Sequence, residues 1–335
     1  MALQARNYPP PHGIIVSIEH QQRVIRDLLG TTAIRPSDAD YLTERLLAND
    51  TRCLYSHGSR QLTHYIENLN EEKVNPEPDI QVVSDFGAVC VVDGDGGLGY
   101  MACRIGIDLV LAKAREFGVG ACSTGNHFHI GSAGAWTRMA VEAGCAGLTM
   151  SAHRNSPAPE KVVMSLVNSS PISIGFPSGD QPPFILDMGG SFLGASNERM
   201  KESPNAFFKA LGLSAAIQMF SGVLAGIYQE SRIPPRSKWS SNQGAFLCAW
   251  DVSRFMDADE FRAQMDAFIG HARAMEPFPG FNRAELPGGM EFEWERQNKK
   301  RGLFALGDDH RQQLEELARE VGVDCGYEAF EESRF

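Results

Sequence analysis

Positive charge is scarce in this sequence: 31 Lys and Arg stand against 42 Asp and Glu, a net charge of −11. A nucleic-acid partner needs a basic face to release counterions, so none is expected. Long apolar runs are also lacking. None reaches the about eighteen residues that a membrane span requires, so no membrane partner is expected. The opening MALQARNYPPPHGIIVSIEH has no basic-then-apolar order, which sets a cytoplasmic location as the expectation. Cysteine is sparse, with seven residues (Cys53, Cys90, Cys103, Cys122, Cys145, Cys248, Cys325), an odd number without C-x-x-C. That excludes a disulfide framework and a thiolate zinc site, leaving small, buried, reduced side chains. What is present is ordinary globular material: 335 residues, 43% hydrophobic and 22% charged, enough for roughly two domains.

Local patterns supply the elements. Ser17 is placed to cap a helix through about Leu29, ended by Gly30, and Ser37 with Asp40 reads as a capping box for a second helix. Tyr41, Leu42, Leu46 and Leu47 form that helix's apolar stripe, and helical spacing resumes at Tyr65. Ile80–Val83 and Ala88–Val92 read as strands, and Met101–Phe117 as a helix closed by Gly118. Strand Val119–Ser123, helix Ala133–Ala143 and strand Gly147–Ser151 then alternate, the signature of a layered α/β domain. Pro171–Pro177 and Pro183–Asp187 read as a strand pair. Phe207–Gln229 is expected as a long apolar helix buried on most of its surface, Ala245–Trp250 as a strand and His310–Val321 as an amphipathic helix.

The stretch AVCVVDGDGGLG holds Gly94-x-Gly96-x-x-Gly99 between a strand and a helix, the spacing of a dinucleotide fingerprint. A pyrophosphate cradle should be free of carboxylates, yet Asp93 and Asp95 lie inside this turn. No acid stands where a ribose-binding residue belongs, since Glu116 falls within the helix. Structural use is therefore expected, with the carboxylates serving amides at the helix start.

Two clusters carry chemistry. Ser56-His57-Gly58-Ser59-Arg60 joins an imidazole to a guanidinium, which suits a substrate with a carboxylate beside a carbonyl. Thr124-Gly-Asn-His127-Phe-His129-Ile-Gly-Ser-Ala-Gly134 turns a strand end through glycines into a helix, where α/β proteins place active residues. His127 and His129, spaced for one side of an extended chain, also admit a metal-dependent hydrolase. His153 and Asp187 follow strand-like runs.

In chain order, Ser56-His57-Gly58, Asp93–Gly99, His129-x-Gly131-x-Ala133-Gly134, Leu186-Asp-Met-x-x-Ser191, Lys209 before Gly212-Leu213, and Leu286-Pro-Gly288 resemble the type 2 malate/L-lactate dehydrogenase family. The resemblance spans nearly the whole chain. It implies an α/β, non-Rossmann fold of the L-sulfolactate dehydrogenase kind, with a mixed sheet and flanking helices. It also implies NAD or NADP as cofactor, a small carboxylate substrate and a homodimer. Carried onto this chain, His57 and His129 are the active-site histidines. Ser56, Arg60, Gln61 and Tyr65 fall on the substrate side, and His153, Ser170, Asp187, Met188, Gly189 and Lys209 on the cofactor side.

The expected activity is hydride transfer at C2 of a 2-oxo acid, 2-hydroxy acid or cyclic imino acid, with no metal. A cofactor-binding domain is expected over about 86–284, and a substrate and dimerisation region over 1–85 with about 285–335. Departures from the family pattern are specific. Gln61 occupies its arginine position, Ser169-Ser170-Pro171 its Thr-Asn-Pro element and Ala210 the position of a glycine. Lys209 follows Ser191 by only 18 residues. Those losses keep a non-redox paralogue, a lyase or binding protein, as a further reading.

Overall fold

Ser17 closes one strand and opens a helix in the same step. Its hydroxyl accepts from the His20 amide, so β1 (His12–Ser17) passes directly into α1 (Ile18–Leu29), which Gly30 ends. The computed structural model describes residues 8–155, 159–167, 170–190, 196–229, 239 and 241–334. Their packing divides the chain into two units, one running to Glu77 and resuming at Ala267, the other spanning Pro78–Asp266. The sequence reading places its functional boundaries at 85/86 and about 284/285. In the first unit α2 (Pro36–Thr51) begins two residues earlier than expected. Pro36 occupies its first turn and no side chain caps it, so Ser37 is not the cap. Leu42, Leu46 and Leu47 form its buried stripe as expected, and α3 (Leu62–Asn70) follows two short 3-10 turns.

The second unit is built on one mixed sheet. Its strands are β2 (Gln81–Phe86), β3 (Val89–Asp93), β4 (Val119–His127), β5 (Cys145–His153), β6 (Pro171–Phe176), β7 (Phe184–Gly189) and β8 (Gln243–Asp251), in the order β2-β3-β4-β8-β5-β6-β7. Only β3 and β4 pair in parallel among these described strands. They are joined by α4 (Gly99–Phe117), whose end at Gly118, φ +84°, falls where the sequence puts it. Strand β8 inserts between β4 and β5, separating the strands that α5 (Ala133–Glu142) connects. Gly106 and Gly147 let the helices α4 and α5 lie close on one face: a Cβ at 106 would meet Leu247 and Cys122, and one at 147 would meet Ala140 and Thr137.

After the short α6 (Asn197–Glu202), α7 (Pro204–Gln218) packs on β5 and continues into a π turn over Met219–Val223. Ile217 joins Met150 and Ile172 in a core with Leu148, Ile174, Met188, Leu213 and Phe246 around it. Pro204–Val223 is long and apolar enough to cross a membrane by length and composition alone. The expectation of burial around most of its surface fails on one side. Phe208 is 73% exposed, and Met219, Phe220, Val223 and Leu224 are exposed as well, because the helix has the sheet on its inner side only.

Helix α8 (Ala258–Arg273) carries the chain across the boundary back into the first unit. There α9 (Gly289–Arg301), β9 (Leu303–Gly307), α10 (Asp308–Val321) and β10 (Glu332–Arg334) complete a small antiparallel sheet in the order β10-β1-β9. Ahead of α9, Arg273 and Arg283 share Glu285 and, within the helix, Glu293, in a partly buried ion network that brackets the Leu286-Pro-Gly288 turn.

Candidate active site

In the first unit the residues of interest sit on the double 3-10 loop between α2 and α3. Ser56 is exposed and its Oγ lies 3.0 Å from His57 Nδ1. Three side chains fix the loop backbone. Gln61 Nε2 donates to the Ser56 carbonyl at 2.6 Å, Asn49 Nδ2 donates to the His57 carbonyl at 2.8 Å, and both Asp50 carboxylate oxygens accept from the Ser59 amide. A Cβ at Gly58 would overlap the Asp50 carboxylate, so glycine is required here for space and not for its φ of −91°. Gln61, standing in place of the expected arginine, thus braces the loop from within. Tyr65 is buried, 1% exposed, on α3.

Arg60 is half-buried and its Nε has no hydrogen-bond partner among the described residues. Its positive charge reaches Asp50 and His310 behind the loop. His310 on α10 contacts the Ser59 hydroxyl at 3.0 Å, which also accepts from Gln21, and Gln21 in turn accepts from Tyr327. Burial, aided by Arg60, pushes the His310 pKa down to about 3, so this imidazole is neutral.

In the second unit the glycine turn is spoken for. Gly94, Gly96 and Gly99 donate their amides to the Gly125, Asn126 and His129 carbonyls, and Gly97 donates to the Gly94 carbonyl. Asp93 accepts from the Asp95 amide and from Asn126 Nδ2. With those amides occupied, a pyrophosphate finds no cradle, and the expectation of a structural turn holds. The role given to Asp95 needs correction. The residue before α4 is Leu98 with no side-chain cap, and Asp95, at φ +44°, accepts from the Asp79 amide instead.

The two histidines that follow separate cleanly. His127 is fully buried, its Nδ1 donating to the Phe128 carbonyl at 2.7 Å and its Nε2 accepting from the Thr124 hydroxyl at 2.8 Å. Burial lowers its pKa to about 4. With neither ring nitrogen available it is no metal ligand, and among the described residues no group of three or more His, Cys, Asp or Glu is placed to hold a metal. His129 lies two residues beyond the strand, partly exposed, where the chain has turned.

Sheet register gathers the remaining candidates. His127 and His153 both face Gln243, and Pro171 faces Gly189, so β4, β5 and β7 end where β6 and β8 begin. His129, His153, Ser170, Met188 and Gly189 therefore share one end of the sheet. Gln218 of α7 ties this end together: Oε1 accepts from Ser170 Oγ at 3.1 Å, and Nε2 donates to the His153 carbonyl at 2.9 Å and to the Tyr228 hydroxyl. Burial holds the His153 pKa below the ordinary imidazole value. Exposed Asp187 accepts from the Gly134 amide at 2.9 Å, at the positive end of α5. Lys209 is exposed on α7. Ser169 and Ser191 lie outside the described residues.

Asn49, Asp50 and Gln218 were not singled out by sequence reasoning. A lone glutamine within the apolar run from Leu211 to Val223 was the available signal for the last.

Comparison with known proteins identifies the family. The malate/L-lactate dehydrogenase family model matches residues 16–201 and 195–315. L-sulfolactate dehydrogenase of Methanocaldococcus jannaschii is 26% identical, over 93% of this chain and 98% of that protein. Ureidoglycolate dehydrogenase (NAD(+)) of Escherichia coli O157:H7 is 22% identical over 88% and 93%. The structure of malate dehydrogenase from Pyrococcus horikoshii OT3 superposes with a TM-score of 0.82 at 25% identity, covering 97% of this chain and 99% of that one. A seven-stranded mixed sheet without a phosphate-binding glycine turn and a match over nearly the full length together place the chain in the malate/L-lactate dehydrogenase family.

Proposed function

We propose that this protein is an NAD(P)-dependent oxidoreductase that moves hydride to or from C2 of a small 2-oxo acid, 2-hydroxy acid or cyclic imino acid. Family membership and the dehydrogenase names of its relatives support the reaction class. The observation that carries the assignment of roles is the contrast within His127-Phe128-His129. One imidazole is sealed and neutral, and the other stands partly exposed at the sheet end. In reduction, His129 donates a proton to the carbonyl oxygen, or His57 does so with its Nδ1 oriented by Ser56. Arg60 and Ser56 hold the substrate carboxylate.

The sheet end fits a nicotinamide nucleotide in its donor chemistry. Asn242 Oδ1 and Ser214 Oγ are buried there without a partner among the described residues, at the same sheet end as the apolar Met188 and as His153, whose burial disfavours the charged imidazole. Met188, Gly189, Ser170 and His153 would hold the nucleotide, with exposed Asp187 and Lys209 at its polar groups. When bound, the nicotinamide supplies or takes the hydride. The exposed apolar side chains of Phe208, Phe220, Val223 and Leu224 support a homodimer, and seven buried, unpaired cysteines support a reducing, cytoplasmic setting.

The test is a fluorescence titration with NADH and NADPH, followed by turnover of oxaloacetate and pyruvate by His129→Asn and His127→Asn. His129→Asn should lose roughly a hundredfold or more in kcat with nucleotide binding intact, and His127→Asn should be mild. Absence of nucleotide binding would favour the non-redox paralogue. Full turnover without His129 would move the proton to His57.

A further inference from the structure

The carboxylate beneath the substrate loop is unlike the other acids of this unit. Asp50 has no exposed surface, and no Lys, Arg or His among the described residues comes within ion-pair distance of it. Its two oxygens are taken by Ser59, through the backbone amide and a side-chain hydrogen bond, in the space that Gly58 leaves by having no side chain. The preceding residue, Asn49, holds the His57 carbonyl. The last turn of α2 thus grips the loop twice, on either side of Gly58, and Ser56, His57, Arg60 and Gln61 all project from the gripped stretch. A fully buried acid whose hydrogen bonds all come from the one residue Ser59 is a costly way to hold a loop if holding were all it did, because a neutral side chain could accept the same bonds.

We propose that Asp50 is a positioning residue for the substrate loop, and that gain or loss of its proton sets how firmly the Ser56–Gln61 stretch is held to receive a carboxylate substrate. Ionised, it offers two acceptors to Ser59 and attracts the Arg60 cation across the loop. Protonated, it loses one acceptor and that attraction. The proposal rests on the oxidoreductase reading for its substrate, but the clasp itself does not depend on it.

The surroundings single Asp50 out as the group that titrates. The ionisable groups facing it are Cys53 and Tyr55 before the loop, Arg60 within it, His310 on α10 and Tyr327 near the C-terminus. Burial pushes the Cys53 thiol up to about 11 and both tyrosines well above their usual range, and it keeps His310 neutral. The same burial raises Asp50 to about 7, opposed by the Ser59 bonds and by Arg60. The sign follows for stability. The folded pKa stands above the ordinary 3.8, so the folded state holds the proton more tightly than the unfolded state. Against the unfolded chain, the stabilising contribution is complete below that ordinary value and is lost as pH rises through 7; within the folded state, where Asp50 stays buried, the Ser59 bonds and Arg60 lower its pKa, so ionisation tightens their hold on the loop.

The experiment compares wild type, Asp50→Asn and Asn49→Ala between pH 5.5 and 8.5. It uses hydrogen exchange of the peptide spanning 54–62, melting temperature, and KM and kcat with oxaloacetate. In wild type KM should fall with rising pH through 7. Asp50→Asn should lack that inflection, with KM at pH 8 about tenfold higher and a smaller change in kcat, the factor one charge-assisted bond is worth. Its loop should exchange faster, and its melting temperature should not share the wild-type decline between pH 6 and 8. Asn49→Ala should speed exchange while leaving the pH inflection in place. Equal loop exchange and identical melting profiles in wild type and Asp50→Asn would overturn the clasp. A wild type that turns over no 2-oxo acid, 2-hydroxy acid or cyclic imino acid with either nicotinamide nucleotide, yet shows the exchange and melting differences, would overturn the oxidoreductase reading and leave the clasp standing.

Discussion

Two glycine-bearing turns lie in this chain, and they use glycine in opposite ways. In Asp93–Gly99 the absent side chains let neighbouring segments, the His127, Trp239 and Pro78 side chains included, close directly on the backbone. Each glycine amide finds a carbonyl, and a Cβ at Gly96 would come within 2.5 Å of Trp239. In Ser56–Gln61 the absent side chain at Gly58 makes room for a carboxylate from another element, and the neighbouring side chains project outward. The first turn resembles a nucleotide site by spacing, and its glycine amides are already engaged. The second has no recognised phosphate or nucleotide spacing and carries the imidazole and guanidinium. Counting which amides are already engaged separates structural from functional glycine more sharply than the pattern of glycines does.

The contrast predicts different failures for the same substitution. Gly96→Ala places a Cβ against Trp239 at φ +70°, so it should destabilise the fold by roughly 2–4 kcal/mol, strain and overpacking together, with activity per folded molecule retained. Gly58→Ala has an ordinary φ and should instead displace Asp50, reducing kcat/KM tenfold or more while melting shifts less than in Gly96→Ala. Thermal melts beside specific activity would check both. The reverse pattern would show that the two turns have exchanged roles.

What could be read from the sequence follows how local each cause is. The α1 cap at Ser17, the α4 stop at Gly118 and the β6–β7 pair depend on residues a few positions apart, and all three stand in the structure. The rejection of a phosphate cradle rested on two carboxylates inside the turn, which is also local. The three-stranded sheet was not legible, because β1 pairs with residues about 300 positions away and its strands are short. The exposed side of α7 was misjudged because apolar composition does not say on how many sides a helix is covered. Asp50 escaped for the opposite reason. An acid near a helix end reads as a solvated residue, and only tertiary packing puts it beneath Gly58.

Arg60 gives a smaller and more selective effect. Arg60→Lys keeps the charge that reaches Asp50 and His310 but loses the paired, parallel donors of a guanidinium. kcat/KM for a 2-oxo acid should fall about tenfold, carried mainly by KM. Stability should move by less than about 1 kcal/mol, since Arg60 forms no ion pair among the described residues. An unchanged KM would place the carboxylate anchor elsewhere, with Gln61 as the next residue to vary.

The smallest effect belongs to the turn that looks most like a nucleotide site. Asp95 accepts from the Asp79 amide through Oδ2, and the oxygen of an asparagine can accept the same bond, so Asp95→Asn keeps that bond and removes a charge. If a diphosphate lay against this turn, that charge would oppose it within a few ångströms, and its removal would tighten NADH or NADPH by a large factor. With the Gly94, Gly96, Gly97 and Gly99 amides all engaged by carbonyls, the turn offers a diphosphate none of its glycine amides, and the dissociation constant should change by less than about twofold. Titration at two salt concentrations makes the measurement decisive. A nearby charge would act more strongly at low ionic strength, whereas a remote one leaves the wild-type and variant curves superimposed at both.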